Sequence, residues 1–108
     1  MKELVSAAGA PPPAGPYSPG LIVGDDIAGQ TAQVFRNIEA LLRSAGAGLD
    51  DVVSCLVHIT DLALFEAFNA AYEGAFPGPA KPVRTTVRAD LVAGMLVEVT
   101  VIASKPRP

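Results

Sequence analysis

From Ile27 to Ala45 the apolar residues Val34, Phe35, Ile38, Leu41, Leu42 and Ala45 recur at helical intervals, the spacing that gathers side chains on one face of an α-helix. Asp25 and Asp26 stand ahead of this segment and offer a side-chain oxygen to the free N–H groups of a first turn. Gly46 stands behind it, suited to the left-handed conformation that ends a helix. A second stripe, Leu64, Phe65, Phe68, Ala71, Tyr72 and Ala75, repeats the spacing after Thr60 or Asp61, either of which can cap it, and "PGPAKP" stops it. Two amphipathic helices are predicted, and each needs something apolar to lie on.

The strands alternate instead. "DVVSCLVHIT" is rich in β-branched residues and places Val53, Cys55, Val57 and Ile59 on one face, with Ser54, Leu56 and His58 on the other. Two more strands are predicted at 83–89 and 95–103, with Gly94 helping the chain turn between them as a hairpin. Near the N-terminus "KELVSA" reads as a short strand, "GAPPPAGPYSPG" as a loop and "LIVG" as a brief apolar run. The resulting order, ββαβαββ, describes a single α+β domain over residues 1–108, with both helices on one face of a sheet.

Two charges interrupt this pattern. Sorting 83–103 by parity gives an apolar face of Val83, Thr85, Val87, Met95, Val97, Val99 and Val101, to meet the helices. The other face carries Arg84, Thr86, Leu96, Glu98, Thr100 and Ile102, joined by Val52 and Leu56 from the preceding strand. A hairpin register near 86 opposite 98 makes Arg84 and Glu98 diagonal neighbours. With both helices used on the first face, the simplest cover for so apolar a second face is another copy of the chain. Arg84 and Glu98 are then partly desolvated and must pair, either with each other as an ordinary cross-strand ion pair or with a ligand.

Composition narrows the class. The 108 residues are half hydrophobic, enough for one core, and carry a net charge of −3 with no basic cluster. Neither nucleic acid nor an anionic membrane is therefore expected as a partner. No apolar run approaches the roughly 20 residues of a spanning helix, and the N-terminus lacks the apolar stretch of a secretory signal. A single cysteine, Cys55, forms no internal disulfide and points to the core face; the expected location is the cytoplasm. His58 has no second histidine or cysteine close by in sequence and reads as a surface or hydrogen-bonded residue rather than a metal ligand or base. Asn69 reads as a solvated helix residue, and Tyr17 as a loop aromatic suited equally to packing a lid or to catalysis. No phosphate-binding loop, zinc spacing or nucleophile elbow is present.

Four stretches, "AGPYSPG", "DIAGQTAQVFRNIEALLRSAGAGLDDVV", "VHITDLALFEAFNAAYEGAF" and "PVRTTVRADLVAGMLVEVTVIA", together resemble the RidA (YjgF-type) reactive-intermediate deaminases over nearly the whole chain. The resemblance implies a chorismate-mutase-like mixed sheet with two helices on one face, and a homotrimer with sites in the clefts between subunits. It implies hydrolysis of 2-imino acids or their enamine tautomers to 2-oxo acids and ammonia, with no cofactor and no metal. The small imino and oxo acids are then the ligands.

By the same resemblance Arg84 in "VRTTV" anchors the substrate carboxylate and Glu98 in "LVEVTVIA" orients a water. The backbone carbonyl at Thr86 helps to hold that water, Tyr17 closes the pocket, and Asn69 lines it. One departure accompanies it: between Gly24 and Ile27 about twenty residues usual in the family, including a pocket-lining serine-glycine pair and a strand, are absent. That gap keeps a second function open, a non-catalytic trimer that binds small carboxylates.

Overall fold

The structure, a computed structural model, describes residues 3–8, by their backbone, and 26–105. Tyr17, the proline-rich loop, the "LIVG" run and the site of the apparent deletion lie outside the described residues. The elements are β1 (Glu3–Ala8), α1 (Ile27–Ser44), β2 (Val52–Ile59), α2 (Phe65–Ala75), β3 (Val83–Arg88) and β4 (Val97–Lys105). Short 3₁₀ turns, Leu49–Asp51 and Leu62–Leu64, lead into β2 and α2. No helix among the described residues is long and apolar enough to cross a membrane.

Both helices form where their stripes place them. Asp26 caps α1 by accepting the Gly29 amide at 2.7 Å, and Gly46 closes it with φ +76°. Lys105, at the end of β4, donates to the Ala45 carbonyl at 2.8 Å and holds the helix C-terminus to the sheet. Asp61 caps the 3₁₀ turn before α2, accepting from Ala63 at 2.9 Å. Val34, Phe35, Ile38 and Leu42 from α1 and Phe68, Tyr72 and Phe76 from α2 and its end form one core with Cys55, Val57 and Ile59 of β2 and Val97, Val99, Val101 and Ala103 of β4. The mixed sheet with two helices on one face is as expected.

The pairing of the strands is not. The sheet order is β1-β4-β2-β3: β2 lies between β3, to which it is parallel, and β4, to which it is antiparallel. The hairpin expected between 83–89 and 95–103 does not form, and no register sets 86 opposite 98. β2, α2 and β3 make a β-α-β unit, whose two strands run parallel because a helix connects them. The connection from β3 to β4 then crosses the end of β2, turning at Ala93 and Gly94, both at positive φ. Met95 belongs to that turn, its amide bonded to the Val92 carbonyl at 3.0 Å, so the last strand begins at 97 rather than 95.

Because β3 and β4 are not partners, the parity of one does not determine that of the other. Arg84 lies in register with buried Cys55, and Thr86 with buried Val57, so both face the helices. Val83, Thr85 and Val87 face away. A bulge also shifts the start of β2: Val52 pairs with Ala103 and Ser54 with Ile102, leaving Val53 unpaired and exposed while Val52 turns into the core. The expected places of Val52 and Val53 are thus exchanged.

Candidate active site

Arg84 is held on an aromatic floor. Its guanidinium carbon lies 4.5 Å from the Tyr72 ring centroid, 5.4 Å from Phe65 and 5.9 Å from Phe68. A guanidinium is weakly hydrated and planar, so it accepts such a surface more readily than an ammonium would. Asn69, one turn along α2 from Phe65, accepts a hydrogen bond from Arg84 Nη1 at 2.7 Å. The Asn69 amide nitrogen donates in turn to Glu73 Oε1 at 3.4 Å. Among the described residues no carboxylate pairs with Arg84. Its remaining donors face a cleft of about 310 Å³ bordered by Asn69, Tyr72, Glu73, Lys81 and Pro82.

Beneath the guanidinium lie Cys55 and Tyr72. Burial holds the Cys55 thiol above its ordinary range, opposed in smaller part by the Tyr72 hydroxyl and by Arg84. Burial, with Cys55 beside it, pushes the Tyr72 hydroxyl up as well. Neither group is a thiolate or phenolate near neutral pH, and Cys55 is packing, as its strand parity implied. Thr86 lies two residues along from Arg84 on the same face, with a buried hydroxyl that no partner among the described residues satisfies. Arg84 and Asn69 are brought together at the cleft, while Thr86 shares the helix-facing side of β3 without bordering it.

Glu98 is not with them. It lies in register with His58 on the face of the sheet turned away from the helices, and β2 separates it from β3. The expected diagonal contact between Arg84 and Glu98 is absent within one chain, because Arg84 faces the helices and Glu98 faces outward. Glu98 instead borders a second cleft, of about 360 Å³, with His58, Asp90, Leu91, Val92 and Met95. The His58 Nδ1 atom is 3.4 Å from Glu98 Oε1. The same outer face exposes Val83, Leu56, Val87 and Ile102, at 71%, 40%, 39% and 39%, an apolar surface that no helix among the described residues covers.

Gln30 was not anticipated. It is buried on α1, accepts the Leu96 amide at 2.7 Å through Oε1 and donates from Nε2 to the Gly94 carbonyl at 3.3 Å. It thereby ties α1 to the turn that delivers Glu98. The signal was present in the sequence: Gln30 occupies a place in the apolar stripe one turn from Ile27 and Val34. Gln30→Leu keeps the volume but strands an amide and a carbonyl, so a loss of about 1–3 kcal/mol in urea unfolding is expected. An unchanged midpoint would count against the clamp.

Among the described residues no three His, Cys, Asp or Glu side chains come together as a metal would require. Two separate clefts remain, one beside Arg84 and one beside Glu98. The family defined as Endoribonuclease L-PSP matches residues 2–105 of the chain. The chain belongs to the RidA/YjgF family. Within the family it is similar to a RutC family protein of Saccharolobus solfataricus, at 38% identity over 97% of this chain and 99% of that one. It is 32% identical to Reactive Intermediate Deaminase A, chloroplastic, of Arabidopsis thaliana, over 95% of this chain and 66% of the relative. A crystal structure from Mycobacterium tuberculosis, of the YjgF/YER057c/UK114 family, superposes with a TM-score of 0.70 at 39% identity, covering 74% of this chain and 69% of that one.

The 126 aligned positions shared with the Saccharolobus relative take up 97% of a 108-residue chain, so about twenty of them have no counterpart here. This agrees in size with the departure read from the sequence.

Proposed function

We propose that the assembled protein hydrolyses 2-imino acids and their enamine tautomers to 2-oxo acids and ammonia, at sites shared between neighbouring subunits of a homotrimer. The observation that carries this reading is the Arg84 guanidinium: partly buried, oriented by Asn69, and without a carboxylate of its own among the described residues. A partly desolvated cation without a counter-charge is costly, and a substrate carboxylate relieves that cost with two parallel charge-assisted bonds. The name of the Arabidopsis relative supports the same reaction class. An RNA substrate, suggested by the family's endoribonuclease description, draws no support from a net charge of −3.

In this mechanism Arg84 binds the carboxylate and sets the C2 imine carbon near Glu98 of a neighbouring copy. Glu98 takes a proton from water as the oxygen attacks C2, and the proton is passed to nitrogen. The tetrahedral carbinolamine then expels ammonia and leaves the C2 carbonyl. The Thr86 backbone carbonyl is assigned a part in holding the water, and no covalent enzyme intermediate is needed. A second reading, a carboxylate-binding assembly that leaves the water unplaced, is favoured by the roughly twenty missing positions.

The experiment generates 2-iminopropanoate in situ from alanine with an amino-acid oxidase and follows its decay. Wild type is expected to shorten the lifetime, while Arg84→Ala leaves the spontaneous rate. If wild type also leaves it, the deaminase reading fails. Calorimetry with short 2-oxo acids, bound by wild type and not by Arg84→Ala, would then support the binder.

A further inference from the structure

His58 occupies an outward position of β2 whose neighbours on that face are Ser54 and Leu56. Nothing about a strand calls for an imidazole there. Yet its Nδ1 is buried and lacks a hydrogen-bond partner among the described residues, and a buried polar atom left unsatisfied is costly. The acceptor facing it is Glu98 Oε1 at 3.4 Å, directly across the β2–β4 ladder. At 3.4 Å the two atoms stand at ion-pair distance without the alignment of an N–H···O bond, so the bond requires the side chains to turn toward each other. Both side chains are about one-third exposed or less, at 28% and 34%. Among the described residues the only other ionisable group bordering this cleft is Asp90.

We propose that His58 is a positioning residue for Glu98: its Nδ1–H engages one carboxylate oxygen and leaves the other aimed at the water. A glutamate has three rotatable side-chain bonds, and on an open strand face its carboxylate is spread over several orientations. A fixed donor from the adjoining strand removes that spread, and misplacement of a general base by even an ångström is expensive in rate. The bond also selects the Nδ1–H tautomer of the neutral imidazole, which leaves Nε2 as the free acceptor. This assignment rests on the deaminase reading for its effect on rate, but not for the bond itself.

Two measurements test it. In the imine-decay assay His58→Phe, which keeps an apolar ring on the outer face, is expected to lower kcat about tenfold with KM within a factor of two. His58→Asn, whose amide nitrogen takes the place of Nδ1, is expected to recover to within about threefold of wild type. Long-range 1H–15N correlation at alkaline pH then reads the tautomer of the chain's single histidine, with Nδ1–H expected. If wild type accelerates decay and His58→Phe matches it, this assignment fails while the deaminase reading stands. If wild type is inactive, the deaminase reading fails and the tautomer alone decides the bond. An Nε2–H tautomer overturns the assignment whatever the activity.

Discussion

Arg84→Ala chains and Glu98→Ala chains, each expected to lose at least a hundredfold in rate alone, should regain about one quarter of the wild-type activity when refolded together in equal amounts. Within one chain Arg84 faces the helices and Glu98 the opposite side, with β2 between their strands. A site using both therefore draws Arg84 from one copy and Glu98 from another. In a random mixture half of the copies retain the arginine and half the glutamate, so about one site in four receives both intact groups. Recovery needs no new chemistry, only mixed assembly, which native mass spectrometry would verify. Mixed assemblies without recovery would show that no site combines the two groups across chains. Light scattering of the wild type is the accompanying control, since a monomer would leave the outer apolar face, with Val83 71% exposed, in water.

Phe68→Ala is expected to destabilise the fold by about 3–5 kcal/mol, the range for deleting a fully buried aromatic side chain. Phe68 is 0% exposed, and its ring centroid lies 5.6 Å from that of Tyr72 and 6.4 Å from that of Phe65. The three rings form the floor under the Arg84 guanidinium. Truncation leaves a cavity between α2 and the sheet and loosens the surface on which the cation rests. Thermal unfolding at fixed protein concentration should fall by well over ten degrees, at roughly 4–8 °C per kcal/mol for a domain of this size. Phe68→Leu should lose much less, since it fills most of the volume. Equal midpoints for Phe68→Ala and wild type would refute the core role.

The aromatic floor also explains why Arg84 could not be placed from its own strand. In β3 only Val83 and Val87 are apolar, and by alternation they claim the core face together with Thr85. They do not occupy it. β3 is an edge strand of the described sheet, and α2 crosses above it with aromatic side chains that accept a cation. The polar residues Arg84 and Thr86 therefore turn inward while the valines turn out. That choice depends on α2 and β2, which lie far from Arg84 along the chain.

Local chemistry settled much else. Both helix stripes, the Asp26 cap, the Gly46 terminus, the inward Cys55 and the outward Leu56 and His58 follow from periods of 3.6 and 2 and from backbone freedom. These are decided within a few residues. The resemblance to the family supplied candidate roles for Arg84, Glu98, Thr86 and Asn69. Strand partnership was decided elsewhere, because a strand's alternation says which residues share a face but not which neighbour supplies its hydrogen bonds. The helical link from β2 to β3 made those two strands parallel partners and inserted β2 between β3 and β4. From that single fact follow the opposite facing of Arg84 and Glu98 and the register of Glu98 with His58, the two observations on which the proposed shared site rests. The sequence by itself determined the elements and their chemistry; the tertiary structure decided the pairing, since a ladder joins residues that are remote along the chain.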